Sequence, residues 1–140
     1  MSTDIEADLW AKLITNAALN AISAVVHATY GEAAASPHSR EVIRLLVNEC
    51  VAVARASRVA LPEVDYVHVV WAFAERIGAV YASTSQDLER GKRTEIEALN
   101  GFIVRRGTEL GVSTPVNQTL LALVTLRERQ FECSASDPRD

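Results

Sequence analysis

Lys12, Asn16 and Asn20 recur at intervals of four, so a helix would set all three along one line. At about 100° per residue they fall, with Ser23 and His27, within a stripe roughly 80° wide. The stripe carries one ammonium and two amides, narrower and less charged than an ordinary solvated face. Leu13, Ile14, Ala17, Ala18, Ala21, Ile22 and Val25 cover most of the remaining circumference. Such a helix is mostly buried, and its polar groups need partners. Two uses fit: the amides satisfy neighbouring backbone, or the stripe is the wall of a site. These residues alone leave both open.

A second polar concentration lies at Ser83–Gly101, STSQDLERGKRTEIEALNG, in an otherwise mostly aliphatic chain. Gly91 breaks one short segment, and Thr94-Glu95-Ile96-Glu97 then reads as a capping box that opens a helix. Thr94 would accept from the Glu97 N–H while the Glu97 carboxylate reaches back to the Thr94 N–H. Glu95 is then free in the first turn, where the helix dipole favours a carboxylate. A surface loop leading into a solvated helix would carry similar residues.

The rest of the chain must position these two stretches. Its 140 residues, 49% hydrophobic and 23% charged, suit one globular domain with a real core. A net charge of -4 without a basic cluster argues against nucleic acid or an anionic membrane as partner. Cys50 and Cys133 form no CxxC, and His27, His38 and His68 lack metal-ligand spacing, so no metal site is expected. The acidic start MSTDIEADLW is unlike a signal peptide, and no uncharged apolar run spans a bilayer. A cytoplasmic location follows as the expectation.

Periodicity predicts an all-α domain of five or more helices. The first covers about Ile5 to Val26, with Gly31 ending that region. Ser36-Pro37 starts a second, as N-cap and first helical residue, in which Val42, Leu45, Leu46, Glu49, Val53 and Ala54 hold a helical period. After the Leu61-Pro62 break, a third helix runs from Glu63 or Val64 to about Ile77. A fourth is expected from Glu95 to Leu110, stopped by Gly111, and a fifth is capped by Thr114-Pro115. The domain is expected to fill residues 1–132, leaving a disordered polar tail at 133–140.

Two stretches together resemble ketopantoate reductase (2-dehydropantoate 2-reductase), in its C-terminal helical domain. LWAKLITNAALNAISAV is similar to the family's opening W-x-K-L-x-x-N-x-x-x-N helix. STSQDLERGKRTEIEALNGFIVRRGTELGVSTPVN is similar to its S-x-x-Q-D-(L/I)-x-x-x-x-x-T-E-I-(D/E)-x-(I/L)-N-G run and the following G-(V/I)-x-x-P-x-N. The likeness spans roughly residues 9 to 126.

The resemblance implies a helical fold of the 6-phosphogluconate dehydrogenase C-terminal-like type, closing over the nicotinamide of NADPH and a small 2-oxo acid. By it, Lys12 is the general acid, Asn16, Asn20 and Ser83 hold substrate, and Glu95 binds substrate and cofactor. Hydride addition builds negative charge on the ketone oxygen, which a placed ammonium stabilises and neutralises. The two stretches would then face each other across one cleft.

One departure matters. The six glycines include no G-x-G, so the dinucleotide fingerprint is absent and no Rossmann domain is expected in this chain. NADPH would belong to the complete enzyme and is not expected to bind this chain alone. The implied partners are a Rossmann half, the 2-oxo acid and a homodimer mate, since this domain type often carries the subunit interface. Three readings follow: the substrate-binding and catalytic-acid half of a reductase, a helical dimerisation module, or a small-molecule binder that keeps the pocket without the hydride.

Overall fold

The computed structural model describes residues 2–135, with side chains from residue 5 to residue 132. Among the described residues seven α-helices follow one another: α1 Ser2–Val26, α2 Tyr30–Ala35, α3 Pro37–Ala56, α4 Tyr66–Arg76, α5 Ser83–Glu89, α6 Asn100–Leu110 and α7 Pro115–Ala135. A 3-10 turn, Ile96–Ala98, precedes α6. Among the described residues there is no strand, only an antiparallel bridge between Thr29 and Tyr81. The expected all-α class is what the chain adopts. Of the polar tail expected from Cys133, residues 133–135 continue α7 and residues 136–140 lie outside the described residues.

α1 is the axis, packed by α3, α5 and α7. By length and composition Ile5–Val26 is apolar enough to cross a membrane. Here its apolar surface forms the core: Ile14, Ala17, Ala18, Ala21 and Ala24 are wholly buried. The alanines add little bulk, which lets the flanking helices come close while keeping strong helix propensity.

Several boundaries differ from the sequence reading, each for a tertiary reason. α1 itself does stop at Val26 as expected, where His27 takes a left-handed φ of 49° and the Ala28 N–H bonds the Ser23 carbonyl at 3.1 Å. Gly31 lies inside α2, which a Thr29–Glu32 capping box opens. α4 begins at Tyr66, where the Asp65 carboxylate accepts from the His68 N–H at 3.1 Å. Pro37 is the first residue of α3 as expected, but the Ser36 side chain makes no capping bond.

The box expected at Thr94–Glu97 does not form. The Glu128 carboxylate of α7 accepts from both the Thr94 N–H, at 3.2 Å, and the Thr94 hydroxyl. Glu97 pairs instead with Arg105 at 3.3 Å. The helix expected from Glu95 therefore starts at Asn100, behind the short 3-10 turn. At its far end Gly111, with φ 73°, closes α6 as expected. The cap of α7 also comes from afar. The Glu49 carboxylate on α3 accepts from the Val116 and Asn117 N–H groups at 2.9 and 3.0 Å.

Candidate functional site

The upper part of the α1 stripe opens on a cleft. Lys12 and Asn16 line it together with Ala11 and Thr15, and Val69 and Phe73 of α4 form the facing wall. Its volume is about 340 Å³. Lys12 is exposed at the rim and Asn16 is half-buried. The Thr15 hydroxyl donates to the Ala11 carbonyl at 3.0 Å, so its proton is committed to its own helix. Among the described residues the ammonium of Lys12 and the amide of Asn16 have no hydrogen-bond or ion-pair partner. An ammonium and an amide are thus presented over an apolar wall, which suits an oxygen-rich head on an apolar body.

One turn further on, the stripe closes. Asn20 is 6% exposed, and its Oδ1 accepts from the Tyr30 hydroxyl at 3.0 Å. Burial raises the Tyr30 phenol above its ordinary value, keeping it a donor. Ser23 is fully buried; its hydroxyl donates to the Ala28 carbonyl and accepts from the Ala82 N–H at 3.4 Å. At the bottom, His27 stacks on Tyr81 with ring centroids 4.4 Å apart, and its Nδ1 lies 2.7 Å from the Ser85 hydroxyl.

These bonds bring α5 to the closed end of the stripe. Ser83, its first residue, is exposed and follows Ala82, whose N–H reaches Ser23. Glu95 is exposed directly before the 3-10 turn, and among the described residues its carboxylate has no partner. The turn buries Ile96, and the Asn100 Nδ2 beyond it donates to the Ala17 carbonyl at 3.1 Å, next to Asn16. The structure therefore brings Lys12 and Asn16 into one cleft, with Asn20 beneath them. Ser83 begins α5, which packs against α1, and Glu95 precedes a turn that packs against α6 and α7; neither lines that cleft, whose opposite wall is α4.

Sequence reasoning missed that wall and Tyr30. Val69 and Phe73 sit on the helix expected between Glu63 or Val64 and Ile77, which has no part in the site expected from the sequence. Tyr30 had a signal, because T-Y-G-E at 29–32 is itself a capping-box sequence, but Gly31 within it reads as a stop. Among the described residues no three His, Cys, Asp or Glu side chains are placed to hold a metal ion.

Comparison with known proteins supplies a family. Residues 4–128 match the model described as "Ketopantoate reductase PanE/ApbA C terminal". The 2-dehydropantoate 2-reductase of Archaeoglobus fulgidus is 44% identical over 121 residues, covering 86% of this chain and 40% of that protein. A ketopantoate reductase structure from Ralstonia eutropha JMP134 superposes with a TM-score of 0.86 at 46% identity, over 90% of this chain and 42% of that one. D-mandelate dehydrogenase, solved with NADH and anilino(oxo)acetate, gives a TM-score of 0.78 at 28% identity, over 88% of this chain and 41% of that one. The chain thus spans about two-fifths of the length of the relatives it matches.

Proposed function

The chain belongs to the ketopantoate reductase family, matching its C-terminal helical domain, and on that premise we propose that it is the substrate-binding and proton-donating half of an NADPH-dependent 2-oxo acid reductase. Ketopantoate, reduced to pantoate in pantothenate biosynthesis in the cytoplasm, is the substrate this reading favours. The observation that carries it is the shared cleft of Lys12 and Asn16, where the ammonium and the amide have no protein partner among the described residues.

The donor set fits a reducible carbonyl. NADPH, when bound, supplies the hydride to the ketone carbon. As that carbon is reduced, the carbonyl electron pair moves onto oxygen, and Lys12 donates its proton there to give the 2-hydroxy acid. Exposure at the rim lets the amine recover its proton from solvent afterwards. Asn16 and Asn20 donate to substrate oxygens, while the Ser83 hydroxyl and the Glu95 carboxylate, which lie outside the Lys12–Asn16 cleft, take the substrate and cofactor roles that the family resemblance gives them. With no G-x-G in the chain, the cofactor's phosphates are held by a separate Rossmann half.

The test uses the complete reductase, this chain with its cofactor-binding half. Lys12→Met keeps most of the stem and removes the donor. Turnover should fall on the order of 10²–10⁴-fold with a smaller rise in KM. A folded Lys12→Met protein reducing ketopantoate at the unmutated rate would show that Lys12 is only a surface cation.

A further inference from the structure

Asn20 has one acceptor and one amino group, and which of them faces a ligand depends on what holds the other. The Tyr30 hydroxyl occupies Oδ1 at 3.0 Å. Among the described residues Nδ2 donates to no protein atom, yet it is not among the buried side-chain atoms without a partner, which are Trp71 Nε1 and Asn100 Oδ1. The small exposure that Asn20 keeps therefore includes its amino end.

The frame behind Tyr30 is stiff. The Thr29–Glu32 box fixes the start of α2, and the Tyr30 N–H bonds the Val80 carbonyl at 3.0 Å. Next to it Gly31 donates to the Gly78 carbonyl at 3.0 Å, an approach so close that a Cβ on Gly31 would stand 2.9 Å from the Gly78 Cα. The Tyr30 ring also packs on Phe73, 6.4 Å between centroids, and Phe73 is a wall of the Lys12–Asn16 cleft.

We infer that Tyr30 is a positioning residue for substrate: its hydroxyl holds the Asn20 amide so that Nδ2 is the donor presented to a carboxylate or carbonyl oxygen. This rests on the reading of Asn20 as a substrate-holding group. The carboxylate and ketone of a 2-oxo acid offer only acceptors, so toward that head an amide turned the other way would set oxygen against oxygen. Losing the hydroxyl frees the amide to flip and weakens one oriented hydrogen bond.

Tyr30→Phe removes a single oxygen from a ring that keeps its packing. In the complete reductase it should raise KM for ketopantoate on the order of five- to tenfold, with kcat within about twofold. Placed on Asn20→Ala, the same change should add nothing, because Tyr30 acts through Asn20. A KM rise of equal size on both backgrounds would make Tyr30 independent of Asn20 and overturn the inference. An unchanged KM in Tyr30→Phe, with a raised one in Asn20→Ala, would overturn it while leaving the role of Asn20 standing. No effect from Asn20→Ala would remove that role, and the inference with it. Should Tyr30→Phe not fold, the unmutated protein carries the test by NMR. Saturating pantoate must then shift the two Asn20 Nδ2 protons, and unmoved signals would overturn the inference.

Discussion

Removing the Glu49 carboxylate should destabilise the domain far more than an ordinary half-exposed glutamate would. Glu49 accepts from the Val116 N–H, the Asn117 N–H and the Asn117 Nδ2 at 2.9, 3.0 and 2.9 Å. Loss of the two backbone bonds amounts to loss of an N-cap, about 1 kcal/mol. Asn117 is fully buried, so its amino group then has one acceptor fewer in a dry environment, costing a further 1–3 kcal/mol or so. Glu49→Ala should therefore cost roughly 3 kcal/mol, which lowers Tm by about 10 °C for a chain of this size. Glu49→Gln keeps one acceptor but turns an amino group toward a second N–H, so it should fall between the two. Thermal melts followed by circular dichroism give the order. On an Asn117→Ala background the Glu49→Ala cost should shrink toward that of the cap alone. If both single variants melt within about 2 °C of the unmutated chain, the carboxylate is not what joins α3 to α7.

Two other outcomes test the packing. Gly31→Ala should lower Tm despite alanine's better helix propensity, because its Cβ would meet Gly78 backbone atoms at 2.9 Å; a raised Tm would refute the close approach. Burial, chiefly, pushes the Cys50 thiol up to about 12, so in a Cys133→Ser chain it should resist a disulfide reagent at pH 8 while the domain stays folded. The shift also has a stability consequence. The folded form holds its proton above the ordinary thiol range near 8.5, so this contribution is intact below about pH 8.5 and declines as pH rises toward 12. Unfolding free energies flat across pH 8 to 11 would contradict it.

What was legible in the sequence was whatever a helix decides within its own turns. The α1 stripe, the Pro37 start of α3 and the Gly111 stop of α6 all rest on local periodicity or local backbone preference, and each is present. Capping depended on which carboxylate arrives first in space. Thr94 had Glu97 three residues away, yet Glu128 on α7 takes both of its donors. Thr114 was expected to cap α7, and Glu49 does so from α3. Glu49 itself stood in an apolar series, the one sign that it served something other than solvent. The facing wall of the cleft was invisible for a similar reason: Val69 and Phe73 sit off the buried line of α4, and only the angle between α4 and α1 makes them a wall.

The stripe divides by height along the same helix: its lower polar groups are satisfied by protein atoms, and its upper ones open on a cleft. Ser23 is wholly buried and satisfied by backbone, donating to the Ala28 carbonyl and accepting from the Ala82 N–H. Lys12 is exposed and Asn16 half-buried, and neither has a protein partner among the described residues. Asn20 stands between, with one end of its amide held by Tyr30 and the other unheld. One residue of register slip would rotate every one of these groups by about 100° and drive the stripe's polar atoms into the alanine-lined core. The contacts that keep Ala17, Ala18 and Ala21 buried are thus the same ones that aim Lys12 and Asn16 at the cleft. A substitution that loosens α1 against α3, α5 or α7 should therefore impair ligand binding before it unfolds the domain, whatever its distance from Lys12.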